Sequence, residues 1–322
     1  MYYLKWIGLI LTATLALSVS SQPVKKHGAL SVKGIQLVDK NQNPYSLRGM
    51  SFGWSCNHPQ YYTQGAVKEL HTRWNSSVVR AALGVELENG YKDNPKGQRA
   101  LIETVVKAAI AEGIYVIVDW HSHSINLPEA KGFFEYMAAK YGKYPNLIWE
   151  VFNEPDYESW PEVKAYSEEI IKVIRKHDPD NIILVGSPHW DQDLHLAAAD
   201  PIKGQVNLMY TMHFYAGTHR KWLRDRTDSA MQAGLPIFVS ECAGMEATGD
   251  GPIDEAEWKA FRDWMDERKI SYVTWSVSDK NETCSVLESG APNNGNWKTT
   301  HLKQSGKLIQ EILNAYPPVD KN

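Results

Sequence analysis

The chain has 322 residues, with 34 Lys+Arg against 38 Asp+Glu for a formal charge of −4, and 43% of its residues are hydrophobic. That balance excludes a disordered or collagen-like chain and offers no basic stripe for nucleic acid. Aromatics with a polar tip dominate, 12 Trp and 16 Tyr against 7 Phe, which suits surfaces that stack on a ligand and hydrogen-bond to it as well as cores.

The first twenty residues form a separate object. Lys5 supplies one positive charge, Trp6 to Leu17 is almost wholly apolar, and Ser18-Val19-Ser20 offers small residues for cleavage. This is the layout of a secretory signal peptide over residues 1–20, with an apolar run short for a membrane span. An uncleaved anchor is the alternative. A short N-terminal segment, 21–28, follows, and the protein is expected to be secreted, extracellular or periplasmic, with no stable membrane partner. Cys56, Cys242 and Cys284 would then sit in an oxidising compartment, open to one disulfide and one free thiol. Their spacing fits no zinc pattern.

Beyond that segment, short β-branched or apolar runs recur: 45–50, 77–83, 114–120, 147–152, 182–187, 207–215, 236–241 and 272–278. Their starts lie 32, 37, 33, 35, 25, 29 and 36 residues apart. Near-continuous apolar runs suit parallel strands covered on both faces. Amphipathic helical patterns separate them. Leu101, Val105, Ala108 and Ala109 make one apolar stripe, with Glu103 and Lys107 paired at i, i+4. Tyr166, Ile170, Ile171, Val173 and Ile174 make another, and Asp178-Pro179 helps to end that helix. Eight strands alternating with helices predict a single-domain (β/α)8 TIM barrel over residues 29–316, with a tail at 317–322. A doubly wound open sheet is the alternative, weakened by the absence of a glycine-rich turn after the first strand.

A (β/α)8 barrel places its active site at the C-terminal ends of its strands. Those ends carry Arg80, His121 and His123, Asn153 and Glu154, Trp190, His213 and Tyr215, Glu241 and Trp275. Two glutamates, Glu154 and Glu241, close apolar runs, although glutamate suits strands poorly and a charge beside a core is costly unless paired or functional. Runs four and seven are expected to face each other, so these carboxylates converge over the mouth. Two such groups are what glycoside hydrolysis needs: an acid for the leaving oxygen, and a nucleophile or a base, depending on their separation.

The ordered set Val79-Arg80-Ala81-Ala82, Asp119-Trp120-His121-Ser122-His123, Asn153-Glu154-Pro155, the run from His213 to His219, Ser240-Glu241 and the run from Trp275 to Glu282 resembles glycoside hydrolase family 5. Within it, the likeness is to the bacterial and nematode endoglucanase subfamily, and it extends from about Leu30 to Tyr316. The resemblance implies a retaining endo-β-1,4-glucanase, a cellulase without cofactor or metal, acting as a monomer on β-1,4-glucan. It implies Glu154 as acid/base and Glu241 as nucleophile, with Arg80 and Tyr215 hydrogen-bonded to Glu241. Asn153 would bind the hydroxyl next to the reacting carbon, while His121 and His213 would hold the reacting sugar and the surroundings of the acid/base. Trp275 would floor the subsite beside the scissile bond, Lys280 and Glu282 would bind further toward the non-reducing side, and Trp190 would stack a leaving-side sugar.

Other readings stay open at this point. Asp119, His121 and His123 alternate on one strand face and suit a metal-dependent hydrolase. A non-catalytic glucan-binding barrel is a third class, and mannan, xyloglucan or mixed-linkage β-glucan are rival substrates of the same mechanism. Trp190 and Trp54 fit core positions as well as sugar platforms, and Lys280 with Glu282 fits an ordinary surface ion pair. Two segments depart from the family pattern: Cys242-Ala243 follows the second glutamate, where many relatives have an aromatic residue and Gly, and Ser51 to His58 differs along strand one. A glutamate that must hold a proton beside an ionised one is expected to have a raised pKa, from that like charge and from partial burial.

Overall fold

The computed structural model describes residues 22–317; the predicted leader and residues 318–322 lie outside them. Ten strands are present: β1 (Ser31–Lys33), β2 (Gln36–Val38), β3 (Arg48–Phe52), β4 (Val78–Gly84), β5 (Tyr115–His121), β6 (Leu147–Glu150), β7 (Ile182–Val185), β8 (Leu208–Tyr215), β9 (Ile237–Ala243) and β10 (Tyr272–Val277). Strands β3 to β10 are parallel and follow one another in chain order, and β10 pairs with β3, so the sheet closes on itself. That pairing excludes the open doubly wound sheet. Each of the eight expected runs holds one barrel strand, displaced by up to three residues at an end.

Several helices start where a short polar residue satisfies an exposed first-turn N–H group. Thr63 and Asn94 accept from Ala66 N and Gly97 N. Ser159 and Glu162 form a capping box at the helix Trp160–Arg175, whose buried face includes Tyr166, Ile170, Ile171, Val173 and Ile174, as the stripe predicts. In the helix Pro95–Glu112 the buried face is shifted by one residue: Ile102 is buried with Val105, Val106, Ala108 and Ala109, and Leu101 is half-buried. Glu103 takes both Lys107 at 3.4 Å and Lys140 at 2.6 Å.

Strand alternation divides the barrel interior into two layers. Val78, Tyr115, Ile117, Ile148, Ile182, Leu184, Met209, Phe238 and Val273 form an apolar lower layer. Two residues further along the same inward faces stand Arg80, Asp119, Glu150, Thr211, Ser240 and Trp275, all buried. The barrel is therefore greasy below and polar above, and a larger apolar cluster fills the space between its outer face and the helices. Strands pack closely enough at Gly49 that a Cβ there would lie 1.8 Å from Val78 O.

The hairpin β1–β2 has no counterpart in the sequence reading, because three-residue strands are too short for periodicity to register. Leu30 and Leu37 join the lower barrel layer, Val32 N donates to Asn207 Oδ1 at 2.9 Å, and Tyr115 Oη donates to Gly28 O at 2.7 Å. The hairpin thus seals the floor. The three cysteines are unpaired: Cys56 is half-buried, Cys242 and Cys284 are buried, and none forms the disulfide that the sequence leaves open.

The two layers make separable contributions. Ile117→Ala, in the lower layer, is expected to cost about 2–5 kcal/mol of stability through lost transfer energy and a cavity. Chemical denaturation should show that loss while kcat/KM of the folded fraction stays unchanged.

Candidate active site

The upper layer is organised around Arg80, whose side chain is fully buried. Its Nε donates to Glu150 Oε2 at 2.7 Å, its Nη1 to Glu241 Oε2 at 3.0 Å, and its Nη2 lies 3.0 Å from Asp119 Oδ2 and 2.6 Å from Asn153 Oδ1. One guanidinium, with five donors in a rigid fork, therefore collects three carboxylates and an amide. Burial works against its charge, but Asp119, Glu150 and Glu241 outweigh that and hold it protonated.

Glu154 reaches the mouth because the chain leaves β6 after Glu150 and bends inward. Asn153 N donates to Trp120 O at 3.1 Å and Glu154 N to Ser122 O at 3.2 Å. Glu241 sits within β9, level with His213 of β8. The expectation that runs four and seven face each other is corrected: β6 and β9 are separated by β7 and β8 around the ring, and His213 of β8 lies beside both carboxylates. Its Nδ1 is 2.8 Å from Glu154 Oε1 and its Nε2 is 2.9 Å from Ser240 Oγ. One oxygen of Glu154, one nitrogen of His213 and one oxygen of Glu241 all lie within 4.8 Å of one another. Glu241 is hydrogen-bonded by Arg80 and, at 2.8 Å, by Tyr215 Oη.

The electrostatics differ from the expectation. Burial raises both glutamates, but the hydrogen bond and charge of His213 hold Glu154 below the ordinary carboxylate range in the unliganded site. Burial and the neighbouring Glu154 charge push Glu241 up, against His213, Arg80 and Tyr215. Burial opposes a charge on His213 too, yet Asp191, Glu150 and Glu154 overcome it and raise its pKa well above the usual value. These directions favour the proton on the imidazole facing Glu154, one hydrogen bond away. Sequence could not show this, since nothing in it places His213 against Glu154. Burial also keeps the Tyr215 phenol protonated, a donor to Glu241.

The remaining expected residues fall along one cleft. On one side a cavity of about 450 Å³ is lined by Glu154, Trp190, Gln192, His213, His219 and Glu241, among others. Trp190 is 41% exposed, which favours a platform over a core position. On the other side, beyond Tyr215, a second cavity is lined by Trp54, Trp275, Lys280 and Glu282 among others. Trp275 stacks on His121, with ring centroids 5.1 Å apart and planes 6° apart. Trp54 meets the edge of His121 and stacks on His123. Lys280 Nζ and Glu282 Oε2 are 2.5 Å apart, paired with each other on the cleft wall.

Asp119, His121 and His123 do not converge as a metal triad. Strand β5 ends at His121, whose Nδ1 is 2.6 Å from Asp119 Oδ2, and burial with the charge of Arg80 keeps His121 neutral. His123 leaves the strand face and turns toward Glu154, 3.7 Å away. Sequence reasoning missed Glu150, Asp119's part in holding Arg80, Asp191, Ser240 and His219. Glu150 had a legible signal: it stands two positions after inward-facing Ile148 in a strand otherwise apolar.

A closed (β/α)8 barrel whose C-terminal mouth brings two glutamates together beneath an aromatic-walled cleft defines the glycoside-hydrolase class. The chain belongs to glycosyl hydrolase family 5, the cellulases, whose profile matches residues 38–281. It is 40% identical over 294 residues to endoglucanase Z of Dickeya dadantii, covering 89% of this chain and 67% of that one. To an endoglucanase of Clostridium saccharobutylicum it is 40% identical over 296 residues, covering 89% and 65%. Against several such curated relatives the chain spans about three fifths to two thirds of their length. A solved structure from Cytophaga hutchinsonii superposes with a TM-score of 0.90 at 43% identity, covering 92% of this chain and 97% of that one. The catalytic domain of a Thermobifida fusca endoglucanase, solved with cellotetraose, superposes with 0.86 at 33% identity, covering 91% and 100%.

Removing Arg80 leaves Asp119, Glu150 and Glu241 to repel one another in a buried site. Arg80→Ala is expected to lose about 3–5 kcal/mol of stability at pH 7, the scale for breaking a buried ion pair. The deficit should narrow as pH falls toward 5 and these carboxylates take up protons; denaturation at both pH values measures it.

Proposed function

We propose that the protein is a secreted, retaining endo-β-1,4-glucanase that cleaves internal bonds of cellulose-type glucans by double displacement. The observation that carries this reading is the approach of Glu154 and Glu241 oxygens to within 4.8 Å across the cleft. That is close to the roughly 5–5.5 Å of retaining enzymes and leaves no room for the water of an inverting one. The cleft is open on both sides of the pair, which suits a chain bound through its middle. The curated relatives named endoglucanase and the cellotetraose held by one structural neighbour support the substrate class. Export rests on the composition of residues 1–20.

In this reading Glu241 attacks the anomeric carbon, its lone pairs aimed by Arg80 and Tyr215, while Glu154 protonates the departing oxygen. Glu154 then takes a proton from the water that releases the sugar from Glu241, regenerating both groups. Asn153 suits the hydroxyl beside the reacting carbon: its Oδ1 is fixed by Arg80, and its buried Nδ2 makes no hydrogen bond to the protein. That contact strengthens in the transition state. Trp275, stacked on His121, would floor the subsite next to the bond, Lys280 and Glu282 would bind the chain further toward its non-reducing end, and Trp190 would stack the leaving sugar.

Glu241→Ala and Glu154→Ala are each expected to lower turnover by several orders of magnitude. Azide should rescue the first as a glycosyl azide of inverted configuration and the second as one of retained configuration. Proton NMR of cellotetraose hydrolysis, with chelator present, should show the β-anomer first; an α-anomer first, or faster hydrolysis of mannan or xyloglucan oligosaccharides, overturns the mechanism or the substrate.

Activity should be bell-shaped in pH. The nucleophile must be ionised and its pKa is raised, so the acid limb lies above the ordinary glutamate range and activity is lost as pH falls through it. The proton shared by His213 and Glu154 must be present, so activity is lost as pH rises through the raised pKa of His213. A kcat/KM profile on cellotetraose checks both limbs.

A further inference from the structure

Behind His213, on the side away from the cleft, stands a carboxyl with no assigned part in catalysis. Asp191 is fully buried. Its Oδ1 accepts from Ser187 N at 2.6 Å. Its Oδ2 makes no hydrogen bond and lies 3.3 Å from His213 Nε2. It reaches this place through an unusual backbone: His189, Trp190 and Asp191 have φ of 53°, 54° and 61°, three consecutive left-handed residues without a glycine. Each such residue costs roughly 1–2 kcal/mol, so the surroundings must hold the turn in place. They do so through Asp191 N to Ser187 O at 3.1 Å, Trp190 N to Pro155 O at 3.0 Å, and Asp193 against His189 and Arg226. The result is a turn that sends Trp190 outward to the cleft and Asp191 inward to the imidazole.

The order of atoms is Asp191 Oδ2, His213 Nε2, His213 Nδ1, Glu154 Oε1, with gaps of 3.3 and 2.8 Å. It is a carboxyl–imidazole–carboxyl chain closed off from solvent at its inner end. We propose that Asp191 is a positioning residue that acts through His213 and governs whether the proton of the pair sits on His213 Nδ1 or on Glu154 Oε1. This rests on the reading of Glu154 as the acid/base. With a charge on Asp191, the imidazole keeps both its protons and Glu154 is a carboxylate. When the Nδ1 proton crosses to Oε1, Glu154 is armed as an acid and His213 is neutral, its Nε2–H hydrogen-bonded to Ser240 Oγ at 2.9 Å with Asp191 Oδ2 beside it at 3.3 Å. Glu154 passes that proton to the leaving oxygen and recovers one from water, so the count closes without a further reactant.

Other charged groups face the chain from every side. Glu150 of β6 is 3.7 Å from Nε2, with Ser240 of β9 between, donating to Glu150 at 2.6 Å. Thr211 of β8 faces Asp191, and His123 faces Glu154. Arg80 and Glu241 act on the pair from across the mouth, and His219 feels its charge. Of these, Asp191 alone meets the imidazole nitrogen directly with an otherwise unbonded carboxylate oxygen. Burial, with the charge of Glu154, pushes its own pKa well up, and the charge of His213 with the bonds from Ser187 and Thr211 opposes that.

The test is the pH dependence of kcat/KM in Asp191→Asn and Asp191→Ser, on cellotetraose and on dinitrophenyl cellobioside, whose leaving group needs no acid. Withdrawing a negative charge from the imidazole weakens its hold on the shared proton. The basic limb on cellotetraose should therefore move to lower pH by about one unit, the small end of shifts caused by an adjacent charge. The acid limb should stay, and kcat/KM for the dinitrophenyl substrate should be unchanged near neutral pH. An unmoved basic limb in a folded variant, or equal losses on both substrates at every pH, overturns the proposal. Independently of any variant, the His213 ring nitrogens of the wild-type protein must titrate, by nitrogen NMR, along the basic limb; titration elsewhere overturns it too. A Glu154→Ala control separates the failures: if it abolishes cellotetraose turnover while the Asp191 variants keep the wild-type profile, only the role of Asp191 falls.

Discussion

Everything at the mouth of this barrel depends on one buried guanidinium. Asp119, Glu150 and Glu241 come from three different strands, and each would be expelled from a dry interior if it stood alone. Arg80 makes their company possible, and because its fork is planar it also fixes their directions. Glu241 is thereby held by a group that is itself held by two other carboxylates, which leaves it little freedom to wander. The same guanidinium pins Asn153 by its oxygen and so decides which end of that amide faces the cleft. A compact apolar layer beneath supplies the rigidity that such a charged assembly lacks on its own.

The barrel was legible because its signal is repeated. Eight apolar runs at near-regular spacing, separated by helical stripes, leave few alternatives, and the strand ends carried the residues that cluster at the mouth as the fold requires. Glu154, Glu241, Arg80, Tyr215 and Asn153 were readable for that reason, together with the family motifs. What could not be read was anything set by two elements meeting in space. The approach of His213 to Glu154 follows from the ring order of β6 to β9, and the depression of Glu154 in the free site follows from that approach. Asp191 was hidden because its inward aim comes from three left-handed residues, a conformation that His189-Trp190-Asp191 does not advertise as glycine would. The hairpin β1–β2 was too short for its pattern to rise above chance.

The cleft is also asymmetric in a way that suits its proposed work. One arm is walled by Trp54 and Trp275 among polar side chains, both rings against His121, while His123 lines the other arm. The other offers Trp190 near His219 and Gln192 and is the more apolar of the two. A sugar chain laid along the cleft would meet hydrogen-bonding groups on one side of the glutamates and mainly apolar surface on the other.

The closure of the ring by β10 against β3 has a consequence for how such a chain reaches its form. Leu47 N meets Ser271 Oγ across 224 residues of sequence, and the floor hairpin is fastened to Asn207 and to the carbonyl of Arg268. No partial length of this polypeptide can complete its own cylinder. Contacts so distant along the chain are reached late, after the entropy of drawing in the whole intervening length has been met. Until the last strand is available, the first one has an open edge and the ring is unclosed.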